Sequence, residues 1–250
     1  MAGRLIVSDT PEDLADRAAG DFVKWVDKTL AIQDRCTIAL AGGQTPKGLY
    51  ERLAKEPYKS SIPWKKLWFF WGDERCVPKE HPESNYRMAW EALLQYVPVP
   101  HLQVVRMHGE DPPPQAAHDY EKGMREIFKN DGNWPRIDLI LLGMGPDGHT
   151  ASLIPGTSAV EAGTDQPPLR WVVDNVVRAR QTVRLTFTFP VINQAKNVWF
   201  LVTGANKAAV FADVQKGPNP NWPASRVQPV QGELRWYVDK SIMTLMSNAV

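Results

Sequence analysis

Cysteine is nearly missing from this 250-residue chain, and the two present, Cys36 and Cys76, form neither a disulfide framework nor a C-x-x-C pair. The chain therefore reads as reduced and intracellular. Net charge is missing too: 29 Lys and Arg against 28 Asp and Glu leave a formal +1. That balance excludes a broad field able to recruit nucleic acid or an anionic membrane, so any anion site must be local. No apolar run approaches the ~20 residues that cross a bilayer. The opening Met1–Asp9 has too short an apolar stretch for a secretory signal. A cytoplasmic protein is expected, with a small molecule as its partner and no membrane or nucleic acid. The five histidines show no H-x-H or H-E-x-x-H spacing, so no metal is expected; no cofactor is expected either. Oligomeric state is not legible from the sequence.

What remains is ordinary globular material, 43% hydrophobic and 23% charged. At roughly 150 residues per domain, the length allows one large domain or two small ones. No internal repeat or long linker divides it, which favours a single domain over 1–250. Leu14, Ala18, Phe22, Val26 and Leu30 recur at helical spacing after a capping Thr10 and Pro11. The run Thr37–Leu40 then reads as a buried parallel strand, and Thr45-Pro46 opens a second helix with Thr45 as its cap. Strand and helix alternate onward through Leu67–Trp71, a helix from Ser84 to Leu94, a strand at Val104-Val105, a helix from Pro114 to Lys129, and Ile137–Leu142. Beyond Ser158 the order changes. Trp171–Val177 and Val183–Phe189 are strand-like with only a short polar link, so the sheet is expected to be mixed. In the second of these, Arg184, Thr186 and Thr188 alternate with apolar residues and define a polar face. Asn197–Val202 is another buried strand, 217–229 a surface loop, and Leu234–Val238 the last strand. The expected architecture is α/β: a doubly wound, mostly parallel sheet with helices on both faces, plus a small mixed β subdomain.

In such sheets ligands bind beyond the carboxyl ends of strands, where helix N-termini offer free N–H groups. Four ends here are chemically loaded. Gly42-Gly43-Gln44-Thr45-Pro46 lets the backbone approach an anion and offers the Thr45 hydroxyl, which suits phosphate or merely a tight turn. It is not a P-loop, because Lys47-Gly48 runs in the wrong order. Gly72-Asp73-Glu74-Arg75 is either a site or a self-satisfied ion network. Gly143–Thr150 formally satisfies G-x-G-x-x-G, but Asp147 would meet an incoming pyrophosphate, and Pro155-Gly156 interrupts the crossover helix. What this turn offers instead is His149 two residues from Asp147, a general base with a candidate orienting partner. His81, His101, His108 and His118 read as structural. At Gly204-Ala205-Asn206-Lys207 an ammonium sits where it could pair with phosphate beside a helix N-terminus, or simply be solvated.

Taken together, these stations resemble the 6-phosphogluconolactonases over nearly the whole chain. The resemblance is carried by Gly42–Pro46, by Asp73-Glu74-Arg75-Cys76-Val77-Pro78 with Ser84-Asn85, and most specifically by Gly143–Leu153. Arg184-Leu185-Thr186, the lysine turn and Trp236–Asp239 also match. Departures are Ala41, Ile154 and the segment Arg178-Ala179-Arg180-Gln181 leading to Arg184. The resemblance implies hydrolysis of 6-phosphoglucono-1,5-lactone, with His149 as base and Asp147 fixing its tautomer. It also implies a phosphate and substrate cradle of Gly42, Gly43, Thr45, Asp73, Arg75, Arg184 and Lys207. Two other readings compete: a glucosamine-6-phosphate deaminase type, needing a second carboxylate base that Asp73 or Glu74 could supply, and a non-catalytic sugar-phosphate sensor.

Overall fold

The structure is a computed structural model that describes residues 3–129, 133–161 and 170–245. Six strands form one sheet: β1 (Arg4–Ser8), β2 (Cys36–Leu40), β3 (Leu67–Trp71), β5 (Leu139–Leu142), β8 (Asn197–Val202) and β9 (Glu233–Asp239). Their spatial order is β1-β9-β8-β5-β2-β3, and every pair is parallel. A second sheet of three strands, β4 (Asp73–Arg75), β7 (Thr182–Phe187) and β6 (Val172–Val177), is antiparallel throughout. The antiparallel strands thus lie in a sheet of their own, and the main sheet is not mixed. Gly72 is the hinge between them: its N–H donates to Leu40 O at 3.0 Å and its carbonyl accepts from Phe187 N at 2.8 Å.

Helices α1 (Pro11–Leu30), α2 (Gln44–Leu53), α3 (Tyr58–Ser61), α4 (Asn85–Ala92), α5 (Pro113–Phe128), α6 (Phe189–Asn193) and α7 (Ala208–Gln215) complete the order. Two hydrophobic cores explain why the central strands read as unbroken apolar runs. Ile38 and Leu40 join α1, α2 and α4 in one core, whereas Ala39, between them, joins α5 and α7 in the other. A strand covered on both faces needs no polar alternation. The expected α1 stripe is buried at Leu14, Ala18, Phe22 and Val26, and the Thr10 hydroxyl accepts from Asp13 N at 3.1 Å. Among the described residues no helix is long and apolar enough to cross a membrane.

Four expectations need correction. The cap of α2 is Gly43, not Thr45, which lies inside the first turn. Val104 makes one isolated bridge to Phe69 instead of a strand. Phe189 begins α6 and does not extend β7. The 217–229 segment is not merely surface loop: Pro223, Ala224 and Ser225 are buried in a 3-10 turn whose Ala224 N–H donates to Gly148 O at 2.9 Å.

Candidate active site

Topology selects one place on the sheet. After β2 the chain moves outward to β3, then returns to the other side of β2 as β5. The carboxyl ends of β2 and β5 therefore flank a switch point, where the crevice of a doubly wound sheet opens. The turns leaving β2, β5 and β8, with β4 and β7 of the small sheet, enclose a cavity of about 150 Å³. Gly42, Gly43, Thr45, Asp73, Arg75, His149, Arg184 and Lys207 all line it. Asp147 does not; it stands behind His149.

Each station has a local cause. Gly43 takes φ +100, a region costly for other residues, and a Cβ at Gly42 would overlap the Asn85 side chain. No side chain caps α2, which leaves the N–H groups of Gln44 and Thr45 without a side-chain cap beside the cavity these residues line. The Thr45 hydroxyl shares a 2.8 Å hydrogen bond with Thr203, tying the turn after β2 to the end of β8. Lys207 ends a 3-10 turn that leaves β8 through Gly204 at φ +105. Burial lowers its ammonium pKa, and nearby Asp239 opposes the shift.

The charged cluster after β3 is a strand, and its period of two separates the two carboxylates. Asp73 faces the cavity, where one oxygen accepts from Ser152 Oγ at 2.7 Å and the other from Asn85 Nδ2 at 3.3 Å. Glu74 points away to the N-terminus of α4, accepting from the backbone N–H groups of Asn85 at 2.7 Å and Tyr86 at 2.8 Å. Burial raises its pKa, and those N–H groups oppose the shift. Arg75 turns back to the cavity, with Nη1 donating to Glu83 O at 2.6 Å. Opposite it on β7 stands Arg184, whose guanidinium pKa is lowered by burial and by the neighbouring Arg75.

The turn after β5 presents the imidazole. Gly145 N–H donates to His149 O at 2.9 Å, Gly148 takes φ +72, and the Thr150 hydroxyl donates to Gly143 O at 2.9 Å. Within this frame His149 Nδ1 hydrogen bonds Asp147 Oδ1. Burial works to raise the Asp147 carboxyl, but the hydrogen bond and charge of His149 outweigh it and hold the group at about 2. An ionised carboxylate only accepts, so Nδ1 carries the proton and Nε2 is left as the basic nitrogen. The His149 side chain is 19% exposed, placing it at the rim and not in the interior. A Cβ at Gly145 would overlap both His149 and Asp147; this glycine is needed for space, not for its φ.

Asn85 and Ser152 were visible only as letters of the quoted motifs; their partnership with Asp73 spans 12 and 79 residues. Thr186, read as part of a polar strand face, is wholly buried and accepts from Ser152 N at 3.2 Å. Among the described residues no three His, Cys, Asp or Glu side chains converge as a metal-ligand set.

The protein is thus an α/β protein with an imidazole–carboxylate pair at a switch-point crevice lined by the cations Arg75, Arg184 and Lys207. Residues 9–236 match the family described as glucosamine-6-phosphate isomerases/6-phosphogluconolactonase, and the chain belongs to that family. A 6-phosphogluconolactonase of Synechocystis is 40% identical over 244 residues, 96% of this chain and 97% of that protein. One from Haemophilus influenzae is 34% identical, covering 95% and 97% respectively. The solved 6-phosphogluconolactonase from Trypanosoma cruzi superposes with a TM-score of 0.83 at 29% identity over 96% of each chain.

Proposed function

We propose that the protein hydrolyses 6-phospho-D-glucono-1,5-lactone to 6-phospho-D-gluconate, the second step of the oxidative pentose phosphate pathway. His149 acts as general base, without a metal. The enzyme class, a 6-phosphogluconolactonase acting on a carboxylic ester, rests on relatives 34–40% identical over most of the chain. The mechanism rests on one observation: Asp147 holds the Nδ1 side of His149, and the ring lines a crevice that also contains Arg75, Arg184 and Lys207.

The chemistry follows from that arrangement. Nε2 takes a proton as water oxygen attacks C1, and the carbonyl becomes an oxyanion. Collapse of the tetrahedral species breaks the bond from C1 to the ring oxygen, which receives the proton from the imidazolium. Asp147 keeps the ring oriented and stabilises the imidazolium. The Gly42-Gly43 turn, Thr45 and Lys207 hold the phosphate dianion, where helix N–H groups and an ammonium meet. Arg75 and Arg184 supply cationic donors to phosphate or lactone oxygens, and Asp73 accepts from substrate hydroxyls.

The test generates the lactone in situ from glucose 6-phosphate with its dehydrogenase, then follows lactone disappearance with and without the protein. Acceleration above spontaneous opening is expected. Ammonia release from glucosamine 6-phosphate would instead mark a deaminase, and tight sugar-phosphate binding without turnover of either compound would mark a sensor.

A further inference from the structure

The β6–β7 hairpin carries a charged residue that the mechanism above leaves unused. Its tip is the 3-10 turn Arg178–Arg180, after which Gln181 takes φ +50 to return the chain into β7. From this tip Arg180 Nη2 donates to Asp147 Oδ2 at 3.3 Å, across 33 residues of sequence. The other carboxylate oxygen, Oδ1, is the one engaged by His149 Nδ1 and by the His149 backbone N–H at 3.2 Å. Asp147 is thus gripped at both oxygens, by the imidazole on one side and a guanidinium on the other.

We propose that Arg180 is a positioning residue for the reaction: by holding Oδ2 of Asp147 it fixes the carboxylate that orients His149, and its charge limits how strongly that carboxylate favours the imidazolium. The inference rests on His149 being the base.

Three observations carry it. The turn itself holds only Oδ1 of Asp147, through the His149 backbone N–H and imidazole, and Arg180 adds the anchor at Oδ2 that sets the tilt of the carboxylate about that point. Arg180 and Asp147 are 40% and 37% exposed, and a pair so wet contributes little to stability, which leaves orientation and charge as its effects. Arg180 also lies outside the cavity that holds His149, lining instead an adjoining one of about 790 Å³ that shares Arg75 and Arg184. It can therefore act on the base without touching substrate in that cavity.

The electrostatic direction is definite. A carboxylate beside an imidazole favours the protonated ring, which cannot take a proton from water; a cation on the far side of that carboxylate offsets this. The charged groups lining the cavity of His149 are Arg75 and Arg184 of the small sheet, Lys207 after β8 and Asp73, and the adjoining cavity of Arg180 adds Glu83, Glu110 and Asp111. All of these are unchanged when only position 180 is substituted.

The test compares pH profiles of kcat and kcat/KM for the wild type, Arg180→Gln and Arg180→Lys, with His149→Ala as the control for the base. In Arg180→Gln, kcat is expected to fall roughly ten- to a hundredfold, part of the ~10²–10⁴ that general acid–base catalysis supplies. KM stays within about twofold and the acid limb of kcat/KM moves to higher pH. Arg180→Lys restores the position of that limb and part of kcat, since a point charge replaces the planar fork. Equal urea midpoints exclude a folding defect. If Arg180→Gln keeps the wild-type kcat and acid limb, or raises KM alone, while His149→Ala is inactive, the inference is overturned and the base assignment stands. If folded His149→Ala retains the full rate, both fall together.

Discussion

Arg75 and Arg184 stand directly opposite each other on β4 and β7, two guanidinium groups lining one cavity, each with a buried Nε lacking a hydrogen-bond partner among the described residues. Like charges facing across an antiparallel pair are destabilising, by about 0.2–1 kcal/mol. An arrangement that costs stability in the free protein is repaired by an anion. Arg184→Gln is therefore expected to leave the free protein as stable as the wild type, or up to ~1 kcal/mol more stable. In thermal unfolding with and without inorganic phosphate, the wild type gains more from phosphate than the variant does. A variant less stable without phosphate, yet showing the full phosphate gain, contradicts this.

Gly145 is the point at which space alone protects the dyad. Because the atoms that a Cβ would meet are the ends of the His149 and Asp147 side chains, Gly145→Ala displaces these two groups and spares the sheet. A misplacement of this kind costs on the order of 10²-fold in rate. The expected result is a loss of that size in kcat with an unchanged circular dichroism spectrum and thermal midpoint.

Acid sensitivity should follow two carboxylates. The Arg106 hydrogen bond lowers the Glu110 carboxyl to about 2, against opposing burial, and Asp147 is held at about 2 as well; their ordinary values are 4.5 and 3.8. A depressed folded pKa contributes stability that is present above the unfolded value and lost as pH falls through the folded one. The urea midpoint is thus expected to drop between about pH 4.5 and 2, with Glu110→Gln and Asp147→Asn each flattening part of that fall. Glu74 works in the opposite sense: its raised pKa favours the protonated form, so its contribution is present below 4.5 and is lost as pH rises through its folded value.

Ser152→Ala tests the buried support of Asp73. Both residues are buried and share a 2.7 Å hydrogen bond, so removing the hydroxyl leaves a desolvated carboxylate oxygen short of a donor. A loss of about 1–3 kcal/mol is expected from urea unfolding. Equal stability would mean that Asn85 alone satisfies Asp73.

The legible parts of the fold were those where burial writes itself into composition. β2, β5 and β8 are covered on both faces and show as unbroken apolar runs, and the four loaded turns follow β2, β3, β5 and β8. The exposed edge strand β1 and the charged strand β4 were not legible, whereas the apolar edge strands β3 and β6 were. β1 buries only Ile6 of its five residues, and β4 is three charged residues held in the small sheet by backbone pairing with β7. The different fates of Asp73 and Glu74 depend on strand alternation, which cannot be assigned to a segment read as a loop. Thr45 had the composition of a cap, but the positive φ of Gly43 placed the helix start earlier. The grip of Arg180 on Asp147 joins segments 33 residues apart, and nothing in either segment announces it.

The most direct measurement is lactone hydrolysis by folded His149→Ala, with the spontaneous rate subtracted, beside the wild type at the same pH. The variant is predicted to lose roughly 10²–10⁴-fold in kcat, the size of a general base's contribution, while still binding 6-phosphogluconate. A folded variant that hydrolyses the lactone at the wild-type rate would contradict the assignment of His149 as the base.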